Sequence, residues 1–304
     1  MIKRKSVVLL LFSFALILSS CSKGNSSEGN KDNVDESSDP AVGGISRIVD
    51  RSYDYVVRTS TAASVVAIED ASVGDVVSFG SYEYDTEEPG NEEILWDVID
   101  EKDGSLLLIS HYVIEEVAFT TEKSNPGWGK SYVRVWLNND FYNDAFTEEE
   151  KEKIILSTID NPSSVEMFEM CGKTALDREW EDTEDYIFLL SWEEAFDYYD
   201  IKLVENADAE EKHQKSELFY SANAVAMPSP YLAEKKYEQN LEYRKENGYD
   251  TSKAFYPKTS GWLLRSDHQL PLLNMMVSDG GVILGAGTNV EYGIRPVMWI
   301  KVEE

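Results

Sequence analysis

Residues 92–110 read EEILWDVIDEKDGSLLLIS, two β-rich runs on either side of the turn signal Glu101-Lys102-Asp103-Gly104. That pattern predicts a hairpin, and so commits the sheet to antiparallel neighbours from the start. Ahead of it, VGDVVSFGSYEYD (73–85) is strand-like with glycine punctuation. After Trp128 the period changes. In residues 131–146, Val133, Trp136, Leu137 and Phe141 share one helical face. Thr147 with Glu150, and Ser191 with Glu194, form capping boxes that open two further helices. DYIFLLS (185–191) predicts a buried strand, and the chain closes on β-rich runs: GWLLRSD, LNMMVSDGGVILG and YGIRPVMWIKV. Strands and helices mix without regular β-α-β alternation, so the prediction is α+β rather than a doubly wound sheet.

The 304 residues suffice for one large domain or two ordinary ones. A formal charge of -29 sets the surface against phosphate backbones and anionic headgroups, which excludes nucleic acid as a partner. The bland account of so much Asp and Glu is the solubility of an exported protein. The N-terminus fits export. MIKRK is a positive n-region, and SVVLLLFSFALIL is an apolar stretch too short for a comfortable membrane span. LSSC (18–21) resembles a bacterial lipobox, which implies cleavage before Cys21 and a diacylglycerol, palmitate-type anchor on its sulfur. Two acyl chains suffice for stable anchoring at about 0.8 kcal/mol per buried CH₂.

The organisation expected is a lipoprotein signal peptide at 1–20 and a lipidated Cys21 with a polar tether at 21–44. A lead-in at 45–72 and a globular domain at 73–304 follow. Within that domain, 203–258 is charged and tyrosine-rich and reads as a helical insertion or lid ending near Gly248, or equally as a solvated structural helix. With Cys21 acylated, Cys171 has no disulfide partner and reads as a buried, inert thiol.

An ordered set of motifs resembles the family catalogued as domain of unknown function 6273, frequent in surface proteins of Gram-positive gut anaerobes. They are GDVVSFGSYE, ILWDVID, LLISHYVIE, VRVWLNNDFYNDAF, EEKEKI, DYIFLLSWEEA, GWLLRS, DGGV and GIRPVMWI, spanning residues 74–300. The resemblance implies a C-type-lectin-like body, related to formylglycine-generating enzymes, with two or more helices, a twisted antiparallel sheet and termini paired near one another. Residues 203–258 depart from it by their length, and GWLLRS stands where the family has WWWLRS, with Trp262 and Arg265 retained. The cysteine pair of the formylglycine-generating enzymes has no counterpart here, and the Glu-Pro-Asn and Trp-Asn-Asp signatures of calcium lectins are missing.

Other chemistry is thinly signalled. SNPGWGKS (124–131) ends like a phosphate-binding loop, but Ser124 replaces its first glycine and Pro126 lacks the N–H that would cradle phosphate. His111, His213 and His268 are far apart, and no metal or cofactor is expected. The ligand-binding candidates are Trp262, Arg265, Asp279, Asn289, Tyr292 and Arg295 near the C-terminal hairpins. Aromatic faces and guanidinium forks suit a sugar or peptide, or alternatively core packing and the tying of loops. The function expected is a membrane-anchored, extracytoplasmic binding module for a glycan, peptide or protein, without catalysis of its own. The alternatives are a carboxylate-dependent hydrolase acting on cell-wall or host polymers, and a solute-binding lipoprotein.

Overall fold

The computed structural model describes residues 64–83, 92–174, 177–205 and 217–302, which all fall within the compact unit Asp54–Glu304. The segments expected as signal peptide, lipidated Cys21 and tether, the lead-in as far as residue 63, and His213 lie outside the described residues. The architecture is mixed α and β, with several mainly antiparallel sheets and a few helices.

Two five-stranded sheets organise the molecule. The first has the order β1-β2-β3-β4-β14, from β1 (Val65–Val66), β2 (Val76–Tyr82), β3 (Glu92–Lys102), β4 (Ser105–Ser110) and β14 (Val297–Lys301). The second has the order β12-β11-β10-β13-β5. Its strands are β5 (Glu115–Ala118), β10 (Trp262–Asp267), β11 (Leu273–Val277), β12 (Ile283–Gly287) and β13 (Glu291–Ile294). The predicted hairpin is β3–β4, with Lys102 opposite Ser105 across its turn. Asp103 and Gly104 in that turn both have positive φ, which the sequence signal supplies cheaply.

The sheets are joined by a shared pair of strands. β4 pairs with β14 in the first sheet, and β5, which follows β4, pairs with β13, which precedes β14, in the second. Both chains therefore cross side by side, at 111–114 and 295–296, held by Ser110 N–H to the Pro296 carbonyl and Ile114 N–H to the Ile294 carbonyl, each at 3.0 Å. Pro296 sits in the crossing rather than in a ladder, where its missing N–H costs nothing. The expected pairing of the ends is corrected by this arrangement. Residues 76–82 and 297–301 share a sheet, but β3 and β4 stand between them, and Gly293–Ile294 belong to the other sheet.

The outer edge of β14 is covered. Ile155 N–H donates to the Trp299 carbonyl at 2.9 Å, and Phe188 exchanges two backbone bonds with Val297 at 2.9 and 2.8 Å. Here a second expectation is corrected. Of DYIFLLS only Asp185 is in a strand, β7 (Thr183–Asp185), paired with β6 (Ser157–Ile159). Ile187–Leu190 are buried but irregular. Beyond the backbone bonds of Phe188 to Val297 and of Leu190 to Arg265, side chains satisfy this stretch: Asn138 accepts from Tyr186 and Ile187 N–H and donates to the Ile187 carbonyl, while the Arg265 guanidinium binds the Leu189 carbonyl.

The predicted helix at 131–146 forms in three parts: α1 (Tyr132–Trp136), a π-helical turn (Leu137–Phe141) and α2 (Tyr142–Ala145). Its buried residues are Val133, Leu137, Phe141 and Ala145, spaced by four. In an α-helix a step of four drifts about 40° around the axis, so such a stripe needs a wider turn to keep facing the core. Trp136 is half-buried and stacks on Phe141 at 5.5 Å.

Both capping boxes are present, on α3 (Glu148–Lys153) and α5 (Trp192–Tyr199); α4 (Val165–Met170) lies between them. Residues 203–258 hold a two-stranded ribbon, β8 (Lys202–Glu205) with β9 (Glu217–Tyr220), before the helix α6 (Pro230–Glu246). Ser229 caps α6, Pro230 occupies its first position, and Gly248 follows its end at φ +71°. Only Leu232 and Ala233 of α6 are fully buried. Two ion pairs fasten it to the edge strand β5, Lys235–Glu115 at 2.7 Å and Lys236–Glu116 at 2.6 Å. Among the described residues no helix is long and apolar enough to cross a membrane.

Candidate functional site

The six candidates do not converge. Trp262, in β10, is fully buried and donates its indole N–H to the Ala224 carbonyl at 3.0 Å. Arg265 lies three residues on, in the same strand, and is buried at 4 % exposure. Its guanidinium binds both carboxylate oxygens of Glu194 and the carbonyls of Asp160 and Leu189. Glu194 is also the capping residue of α5, so one carboxylate fastens a helix N-terminus to a central strand. Arg265 is a clamp with its donors spent inside the protein.

Arg295, in the crossing between β13 and β14, is equally buried. It gives two bonds to the Ser110 carbonyl at 2.9 and 2.8 Å, one to the Tyr199 hydroxyl at 2.9 Å, and one to Asp97 Oδ2 at 3.3 Å. Its Cζ lies 5.3 Å from the Trp262 ring and 5.7 Å from that of Tyr199, so the structure does bring Trp262 and Arg295 together. The other oxygen of Asp97 meets His111 Nδ1 at 2.6 Å. Burial, then the nearby Asp97, pushes the Tyr112 hydroxyl up. Sequence reasoning did not pair His111 with Asp97; β3–β4 register brings them together from 14 residues apart.

The remaining candidates are at the surface. Asp279 is exposed in the turn between β11 and β12, Asn289 is exposed in the turn before β13, and Tyr292 in β13 is half-buried against the core. Cys171 is half-buried rather than buried, and desolvation pushes its thiol up, which disfavours the reactive thiolate.

The exposed aromatic surface is elsewhere, on the arm formed by α6 and the stretch after it. Past Gly248 the chain turns back along the helix: Tyr249 lies 6.0 Å from Tyr243, and Tyr256 lies 6.1 Å from Tyr237. The Tyr256 hydroxyl reaches the Pro230 carbonyl at the start of α6, at 3.4 Å. Tyr249, Phe255 and Tyr256 are exposed by 55, 51 and 49 %. Polar groups accompany them, with Arg244 donating to the Asp250 carbonyl and Ser252 to the Asp250 carboxylate. The signal in the sequence was the recurrence of aromatic residues at 237, 243, 249, 255 and 256.

Three carboxyl groups stand above the ordinary range: Glu193, and Asp267 and Asp279, these two chiefly through desolvation. Glu193 is pushed above the ordinary range by burial and then by Asp160, Glu166 and Glu194, with Arg265 opposing. Among the described residues no cluster of His, Cys, Asp and Glu has the arrangement of a metal site.

No curated protein and no solved structure matches the chain. A family profile does, over residues 103–302, well over half the sequence and including β4 through β14. β1–β3 precede that stretch, although β3 pairs directly with β4. By this match the chain belongs to the family described as Domain of unknown function (DUF6273).

Proposed function

We propose that this is a bacterial lipoprotein, anchored through Cys21 at the extracytoplasmic face of the membrane, whose C-type-lectin-like domain binds a glycan, peptide or protein partner without catalysis of its own. The observation that carries the binding role is the aromatic arm: three rings about half exposed, backed by two more tyrosines and flanked by hydrogen-bonding groups. Flat apolar faces beside polar groups are what a sugar ring or an extended peptide is bound with. The lipobox at 18–21 and the polar tether after it support the anchor. This reading moves the candidate surface from Trp262, Arg265 and Arg295, whose polar groups are engaged internally, to Tyr249, Phe255 and Tyr256.

The test is a screen of the Cys21→Ser protein on glycan and peptidoglycan-fragment arrays, beside the same protein carrying Tyr249→Ala, Phe255→Ala and Tyr256→Ala. Hits that disappear in the triple variant, with its melting temperature unchanged, support the arm. An array without hits, or hits that survive the triple variant, would overturn it. A second reading, a carboxylate-dependent hydrolase, is favoured by Glu193, an exposed carboxyl raised among acidic neighbours, as a general acid would be. Turnover of cell-wall polymer that Glu193→Gln abolishes would establish it.

A further inference from the structure

Between the turn at 160–162, the stretch at 177–182 and β10 lies a cavity with about 10 Å³ of water-accessible space, lined in part by Trp128, Asn161, Trp180, Ser266 and Asp267. Three polar atoms of these lining residues are buried without a hydrogen-bond partner: Asn161 Oδ1, Asp267 Oδ1 and Trp180 Nε1. Asn161 and Asp267 are 6 and 3 % exposed, so neither turns to solvent for a partner. The other halves of both groups are engaged. Asn161 Nδ2 donates to the carbonyls of Ile159 and Glu181, and Asp267 Oδ2 accepts from Arg178 at 2.9 Å. Burial pushes the Asp267 carboxyl up, with the nearby Trp180 N–H and Arg178 opposing, yet Trp180 and Asp267 do not close a hydrogen bond of normal geometry.

We infer that this cavity binds a single water molecule bridging these three side chains. The lining residues carry two unpaired acceptors and one unpaired donor, and water offers the complement: two protons, for Asn161 Oδ1 and Asp267 Oδ1, and a lone pair for the Trp180 N–H. The volume is that of one water. A metal cation would suit the two oxygens but would meet the Trp180 N–H and the guanidinium of Arg265, which also lines the cavity. An apolar guest would leave three buried polar atoms unpaired. The bridge joins β10 to two loops that share no ladder with it, and gives the free oxygen of Asp267 a donor.

Crystals of the full-length chain, grown from detergent, test the site directly. The expected result is one solvent peak within about 2.6–3.2 Å of all three atoms. A cavity without density, or a direct Trp180–Asp267 hydrogen bond in its place, overturns the inference. Trp180→Phe keeps the ring and removes the N–H. With the donor gone, the peak should be lost or should move away from residue 180, and a peak unchanged in position and occupancy would also overturn the three-way bridge.

Discussion

Arg295 Nη2 stands 3.3 Å from Asp97 Oδ2 at the point where both chains cross from one sheet to the other. The same guanidinium holds the Ser110 carbonyl at the end of β4, and the same carboxylate holds His111, the first residue of the other crossing segment. Arg295 thus ties groups at the crossing together from within.

Removing that side chain should therefore unseat more than one contact. Arg295→Met takes the guanidinium from Asp97 and leaves the Ser110 carbonyl without its two donors. The expected loss is about 3–5 kcal/mol, the usual cost of breaking a buried ion pair from one side. Arg295→Lys keeps the charge without the fork and should fall between. Urea midpoints of the three proteins measure it; a midpoint for Arg295→Met within error of the parent would remove Arg295 from its structural role.

His268 makes stability depend on pH. Its Nδ1 accepts the Leu270 N–H, its ring stands edge-on to Phe168, and burial, followed by Lys173 and Arg178, lowers its pKa from 6.5 to about 4. The depressed value means that the folded state resists protonation. Its contribution is fully present above pH 6.5 and is lost as pH falls from there to about 4, by about 3 kcal/mol in the limit. His268→Asn, which offers an oxygen in place of Nδ1, should flatten that portion of the curve. Parallel slopes for the two proteins between pH 6.5 and 4 would refute the assignment.

Two glycines with positive φ separate backbone strain from steric overlap. At Gly74 (φ +98°) an added Cβ would meet nothing within 4 Å, while at Gly281 (φ +80°) it would overlap the Ser221 carbonyl oxygen. Gly74→Ala should cost roughly 1–2 kcal/mol for the left-handed backbone alone. Gly281→Ala should cost clearly more, because the Ser221–Gly281 contact between β9 and the β11–β12 turn must open. Thermal melts that rank the two equally would show that the loop simply yields.

The ion pairs on α6 act on motion more than on stability. Lys235→Glu sets like charges against each other at Glu115, yet pairs so near the surface are worth only about 1 kcal/mol or less. The melting temperature should barely change, while amide exchange across residues 230–246 accelerates several-fold. Unchanged protection in that segment would mean that Leu232 and Ala233 hold the helix without help.

For the anchor, the proposal predicts that Cys21→Ser moves the protein from the membrane fraction to the soluble one and abolishes labelling by a palmitate analogue. Retention of the variant in washed membranes would require a different attachment.

What could be read in the sequence was what neighbours in the chain decide. Thr147 with Glu150 and Ser191 with Glu194 are local pairs, and both capping boxes formed as written. The β3–β4 turn and the halt of α6 near Gly248 are local as well. Residues 186–190 look like a strand because a buried strand and a buried irregular segment need the same apolar residues; Asn138, some 50 positions away, supplies the hydrogen bonds that a ladder would have given. Gly293 and Val297 lie four positions apart yet belong to different sheets, since Pro296 marks a crossing only when the partner chain at 111–114 is known. In the sequence the arginines read as either arms or clamps. Their spent donors decide for clamps, through carbonyls that no sequence pattern displays.

The crossing of β13 and β14 also sets a clock. β13 lies inside the second sheet, between β10 and β5, and β14 borders the first beside β4. Until residues 291–301 have emerged, β5 lacks the one neighbour it has among the described strands, and β4 lacks one of its two. Synthesis of everything before them leaves both sheets open. A nascent chain built this way leaves both sheets unlocked until residues 291–301 are available to pair.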